Sequence, residues 1–131
     1  MRRALVAVGI GTTALAACAA AMHTTPADEL SQALAGRTAG PPQGCIDSAW
    51  VNGPQIIGDH TILYRQSGRR IWRTEPVGSC PGLNPNSRLV VELYGSQMCA
   101  NDRFRTFEPG DTIPGPYCRF GKFVPYDKPK T

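Results

Sequence analysis

The sequence predicts a mainly β domain: a small antiparallel sheet, curled or closed into a barrel-like form, stapled by two disulfides and preceded by one short helix. Three observations predict it. Twelve prolines and fourteen glycines among 131 residues leave little room for long regular elements. Short runs of β-branched and aromatic residues alternate with turn formers at close intervals, the pattern of hairpin-connected strands. Four of the five cysteines, Cys45, Cys80, Cys99 and Cys118, fall in a segment of about 80 residues, a size at which a hydrophobic core alone is marginal.

In chain order, residues about 26–35 read as a helix. Thr25 suits the N-cap, Pro26 the first helical position, and Asp28 and Glu29 complement the N-terminal dipole, while Gly36 ends it. Leu30, Ala33 and Leu34 form a narrow apolar stripe that either docks on the domain or leaves the helix partly populated. Residues 36–44, with Pro41 and Pro42, read as a linker, so residues 18–44 form a tether and the β domain covers 45–126.

Within that domain, residues 55–57 are a short strand and Gly58, Asp59 and His60 a turn. Residues 61–66 and 69–74 form a hairpin about Ser67 and Gly68. A two-residue loop sets Leu63 opposite Trp72, Tyr64 opposite Ile71 and Arg65 opposite Arg70, the last a like-charge pair. Residues 76–86 are loop. Residues 89–94 are the most hydrophobic strand, taken as central, with Leu89, Val91 and Leu93 on one face. Residues 103–107 and 117–124 complete the strands, a tight turn falls at Pro109, Gly110 and Asp111, and residues 127–131 are a fraying tail.

The N-terminus has another character. Arg2 and Arg3 precede an apolar run over residues 4–16, which as a helix spans only about 20 Å against a hydrocarbon core of about 30 Å. It reads as an export signal, not a span. Its end, Leu15, Ala16, Ala17 and Cys18, resembles the lipobox of bacterial lipoproteins. That resemblance implies removal of residues 1–17, lipidation of Cys18 and acylation of the new amine, an anchor in the outer membrane with the domain facing the periplasm. The competing reading is plain secretion after Ala21, giving a soluble periplasmic or secreted protein. Without Arg2 and Arg3, twelve basic residues face ten acidic ones, a net charge of +2 rather than +4. A nucleic-acid binder, with its concentrated basic face, is not indicated.

With Cys18 committed to lipid, the remaining four cysteines are even in number, and in an exported domain they read as two disulfides. Their wide spacing disfavours a zinc site, which brings ligands in close pairs. Three connectivities are open. Cys80–Cys99 with Cys45–Cys118 is favoured because the second bond would tie the first and last parts of the domain together.

No nucleophile elbow, Walker loop or dinucleotide fingerprint occurs, and with only His23 and His60 a multi-histidine metal site is excluded. No cofactor and no catalytic residue is assigned. Asp59 and His60 with Tyr64 hold the raw material of acid–base chemistry, but a turn histidine beside Gly58 more often serves as a solvated or capping group. Glu92 reads as a solvent-face residue or a partner for an arginine. The grouping above background is Arg65, Arg69, Arg70 and Arg73 on the hairpin. It is either a candidate anion-binding patch for an envelope protein, polymer or lipid, or a solubilised hairpin.

Residues 45–46, 61–65, 80–83, 94–102 and 118–123 together resemble a family of small four-cysteine lipoproteins or secreted proteins of Gram-negative bacteria, a domain of unknown function. The likeness runs from Cys45 to Pro125. It implies the four-cysteine framework and carries no activity. The expectation is a non-enzymatic envelope lipoprotein that binds an envelope component. The alternative is a secreted periplasmic enzyme or inhibitor using His60 or the arginine hairpin.

Overall fold

The computed structural model describes residues 22–130. The signal segment and Cys18 lie outside them. The first element, α1, is the helix Pro26–Ala33, closed at its start by a capping box in which the Thr25 hydroxyl accepts from the Asp28 amide and the Asp28 carboxylate accepts from Thr25. Thr25 also holds the Asp28 carboxyl below its ordinary range through that side-chain bond. No helix among the described residues is long and apolar enough to cross a membrane.

Ten strands follow: β1 Thr38–Ala39, β2 Cys45–Asp47, β3 Asn52–Ile57, β4 Thr61–Arg65, β5 Arg70–Thr74, β6 Arg88–Val91, β7 Gln97–Cys99, β8 Arg103–Phe107, β9 Tyr117–Arg119 and β10 Val124–Asp127. They form three antiparallel sheets, in the orders β1-β10-β5-β4-β3, β6-β8-β9 and β2-β7. The mainly β class with one helix and two disulfides therefore stands. The sheets do not close into a barrel.

The main core lies between the sheets. Ile56, Ile62, Tyr64 and Trp72 from the five-stranded sheet meet Phe104 and Cys118 from the three-stranded one and Ile46 and Met98 from the two-stranded one. Phe104 and Phe120 stack with ring centres 4.5 Å apart, and Phe123 lies 5.6 Å from Phe120. The opposite face of the large sheet presents Ile57, Leu63 and Ile71, which α1 covers with Leu30, Ala33 and Leu34. β4 is thus buried on both faces, which is why residues 61–64 read as a continuous run instead of alternating.

Several expectations are corrected. The stripe on α1 docks, and residues 36–44 are not a free linker: β1 pairs with β10, and Gln43 bridges Phe123. The hairpin register is one residue away from the expected one, with Tyr64 opposite Trp72, Leu63 opposite Arg73 and Arg65 opposite Ile71. The loop is Ser67, Gly68 and Arg69, because the Ser67 hydroxyl accepts from the amides of Arg69 and Arg70 and folds the tip around itself. The slip keeps Tyr64 and Trp72 on the core face and removes the Arg65/Arg70 clash.

The strand expected to be central, around Leu89, is instead an edge, β6; its Leu89 and Val91 pack on the core but Leu93 is exposed. The last strand divides. After β9 the chain crosses from the small sheet to the large one through Phe120 and Gly121, where a Cβ on Gly121 would stand 2.5 Å from the Glu75 carbonyl oxygen. The expected fraying tail begins inside β10, and the Lys128 amide still donates to the Arg69 carbonyl.

Both disulfides form, but with the other pairing: Cys45–Cys99 and Cys80–Cys118. Cys45 and Cys99 face each other across β2 and β7, at a site where the Cys99 amide bonds the Asp102 carboxylate instead of the neighbouring strand. Cys118 on β9 holds the 76–86 loop through Cys80. The pairing favoured from sequence assumed that the ends needed a covalent tie, whereas β1 and β10 already join them by backbone hydrogen bonds.

Candidate functional site

The hairpin arginines do not converge. Arg70 donates from Nε and Nη2 to the two carboxylate oxygens of Asp127, at 2.7 and 2.6 Å, and its guanidinium lies 5.1 Å from the Trp72 ring centre. That pairing pulls the Asp127 carboxyl below its ordinary value, chiefly through the hydrogen bond from Arg70. Arg73 pairs with Glu75, and Arg65 donates to the Gln55 side-chain oxygen. Strand alternation puts Arg70 on the core side of β5 with Trp72, and Arg65 and Arg73 on the α1 side with Leu63 and Ile71. Two of the four are neutralised by carboxylates, and the four divide between two faces and a tip.

The Asp59 and His60 pair sits in the β3–β4 turn, with Asp59 Oδ1 2.7 Å from His60 Nδ1 and both side chains exposed. His60 holds the Asp59 carboxyl below its ordinary range, mainly by that bond. Residues 78–83 line a cleft of about 540 Å³ beside them. Tyr64 does not join this pair. It lies in the core with its ring 6.4 Å from that of Phe120, and burial pushes its phenol up. Among the described residues, no three His, Cys, Asp or Glu side chains gather as a metal site requires.

The concentration of exposed chemistry lies elsewhere, on the outer face of β6-β8-β9. In β8, Phe104 and Thr106 point into the core, so Arg103 and Arg105 point out; in β9 Cys118 points in, so Tyr117 and Arg119 point out; in β6 Arg88 and Val90 are the outward pair. Register then sets Arg105 opposite both Val90 and Tyr117, and Arg103 opposite Arg119. The Tyr117 ring is held by two guanidiniums, with Arg103 and Arg105 4.6 and 4.7 Å from its centre. Arg105 is fixed further by donating to the carbonyls of Gly115 and Pro114.

Among the described residues, one carboxylate forms an ion pair with these cations. Glu92 Oε2 accepts from Arg103 Nε at 3.1 Å and Nη2 at 2.8 Å, the role of arginine partner that the sequence suggested for it. Among the described residues, Arg88 and Arg119 have no carboxylate partner. Val90 and Tyr117 are half exposed, at 52% and 50%, and Tyr94 beyond the end of β6 is 76% exposed. At one corner, Arg88, Val90, Phe107, Glu108 and Asp111 line a shallow cleft of about 330 Å³.

This face was missed in the sequence because its arginines lie on three separate strands. The signal was present in the period-2 order of residues 103–107, where the outward positions are Arg, Arg and Phe. No curated protein and no solved structure matches the chain. The model of a family of unknown function, DUF6491, matches residues 1–130, and the chain belongs to that family.

Proposed function

We propose that the protein is a cell-envelope lipoprotein, lipid-anchored at Cys18 in the outer membrane and facing the periplasm, that works as a non-enzymatic binding module. The observation that carries the binding reading is the outer face of β6-β8-β9. Its polar groups are mostly guanidiniums, which stay protonated at any physiological pH, so they grip and orient anions but do not trade protons. Two disulfides in a small domain support an oxidising compartment.

Docking of α1 shortens the tether. From Cys18 to Pro26 the chain reaches at most about 29 Å fully extended, so an anchored domain stays within one domain diameter of the leaflet. A partner is therefore met at the membrane surface.

The test is the intact mass of the mature protein from the membrane fraction, before and after reduction and alkylation. The expected mass begins at Cys18, carries acyl chains and gains four alkylated thiols only on reduction. An unlipidated mass beginning at Met22 would overturn the anchor. The second reading, a small periplasmic enzyme or inhibitor, rests on the 2.7 Å Asp59–His60 contact beside its cleft. It requires that His60→Ala abolish an activity on envelope substrates while the fold persists.

A further inference from the structure

Arg103 and Arg119 are direct neighbours across β8 and β9, and Arg105 follows two residues along the same face. Like charges directly opposite in a sheet are destabilising. Here, among the described residues, Glu92 pairs with Arg103 alone and leaves Arg105 and Arg119 without a carboxylate, so this face carries an electrostatic cost of the kind that Asp127 and Glu75 relieve at Arg70 and Arg73. An external anion seated between Arg103 and Arg119 would remove that cost.

We propose that this face docks an acidic segment of a protein partner, with partner carboxylates received by Arg103, Arg105 and Arg119 and a partner side chain covering Tyr117. The inference rests on the binding-module reading and names the partner's chemistry. Glu92 already shows the mode of capture, a carboxylate oxygen held by the Nε and Nη2 of one arginine. Arg119, bare of any carboxylate among the described residues, offers the same fork to a carboxylate from outside.

Two features favour a protein over a lipid surface. Attraction to an anionic leaflet is a diffuse effect to which flexible lysines contribute as well as arginines, yet Lys122, Lys128 and Lys130 all lie off this face, whose cations are arginines only. Two of those arginines are also immobilised, by the Tyr117 ring and by the carbonyls of residues 114 and 115. Fixed forks lose less entropy on pairing and read geometry. A half-exposed tyrosine ringed by arginine is the composition of an interface centre.

The experiment uses the full chain in detergent and fluorescently labelled poly-L-glutamate, read by anisotropy. The expected result is saturable, salt-sensitive binding that Arg103→Ala with Arg119→Ala weakens by about ten-fold or more. Arg65→Ala with Arg69→Ala removes the same charge from the hairpin and is expected to change affinity by less than about two-fold, a control for net charge. Tyr117→Phe keeps the ring and binds as before, whereas Tyr117→Ala weakens binding several-fold. Intact disulfides by mass and an unchanged circular dichroism spectrum establish that each variant is folded.

Absence of binding, or equal losses from the two arginine pairs, would overturn the proposal. Saturable binding of phosphatidylglycerol vesicles that Arg103→Ala with Arg119→Ala weakens, with no binding of polyglutamate, would give the face to a membrane surface instead. The mass measurement and the anisotropy fail independently: an unlipidated protein that binds polyglutamate loses only its anchor, and a lipidated one that does not loses only this partner.

Discussion

The protein carries two arginine groups, and they have opposite characters. On the β4–β5 hairpin, four arginines crowd into one short stretch of sequence, yet the fold disperses them and supplies carboxylates from outside it, Asp127 from 57 residues away and Glu75 from the strand's own end. On β6-β8-β9, four arginines scattered through the chain are gathered by strand pairing onto one face where, among the described residues, only Arg103 is paired with a carboxylate, that of Glu92. The lesson is that density along the chain does not measure density on the surface. Two of the hairpin arginines are structural ties: Arg73 pairs with Glu75, and Arg70 clamps the end of β10 to β5 and lies over Trp72. On the sheet face, Arg88 and Arg119 have no carboxylate partner among the described residues, and in the proposed reading a partner supplies one.

The largest expected effect tests what makes the second group possible. β9 has three residues and brings Tyr117 and Arg119 into place, and Cys118 between them is bonded to Cys80. The disulfides are separated by 54 and 38 residues in sequence, and in the chain-entropy account each contributes about 4 kcal/mol. Together that is comparable to the whole stability of a domain this size. Reduction and alkylation are expected to abolish the cooperative urea transition. Cys80→Ser with Cys118→Ser alone is expected to lower stability by about 4 kcal/mol and to cost hydrogen-exchange protection in β8 and β9 before β4 and β5. A transition unmoved by reductant would sink this account.

Local chemistry was legible in the sequence; partnership at a distance was not. The α1 cap was readable because Thr25, Pro26 and Asp28 act within one turn of each other. Residues 103–107 were readable as a strand for the same reason. The disulfide pairing was not, since it follows from the β2–β7 register, and nothing local to Cys45 names Cys99 as its opposite. The hairpin slip turned on one hydroxyl, that of Ser67, accepting two amides and so drawing Arg69 into the loop. The division of residues 117–124 depended on Gly121 meeting the Glu75 carbonyl, a contact between remote segments. The Arg103/Arg119 pair failed to show for the same reason, although each strand's outward residues could be counted by alternation.

A smaller effect separates a satisfied arginine from an unsatisfied one. The Arg70 bond depresses the Asp127 carboxyl in the fold, so its contribution is present above the ordinary carboxylate value near 3.9 and is lost as pH falls through the lower folded value. Both side chains are partly exposed, 35% and 42%, and solvent screening reduces the pair to about 0.5 kcal/mol. Asp127→Asn is expected to melt lower than the parent at pH 7, with the gap closing as pH is taken below about 4. A gap that stays constant down to pH 2 would show that packing over Trp72, not charge, is what the variant loses.

The smallest effect is the sharpest, because the two arginine groups predict opposite signs. Arg119→Glu gives Arg103 a second carboxylate directly opposite and removes a like charge, so the melting temperature is expected to rise slightly while polyglutamate binding falls. Arg69→Glu on the hairpin tip does the reverse. Arg69 helps to hold the Asp127 carboxyl down, and a carboxylate there would repel it, so the melting temperature is expected to fall with binding unchanged. If both variants moved stability in the same direction, the contrast between Arg69, which faces Asp127, and Arg119, which faces Arg103, would be gone. Opposite shifts would mean that stability has been given up on the outer face of β6-β8-β9, which is the physical signature of a surface kept for a partner.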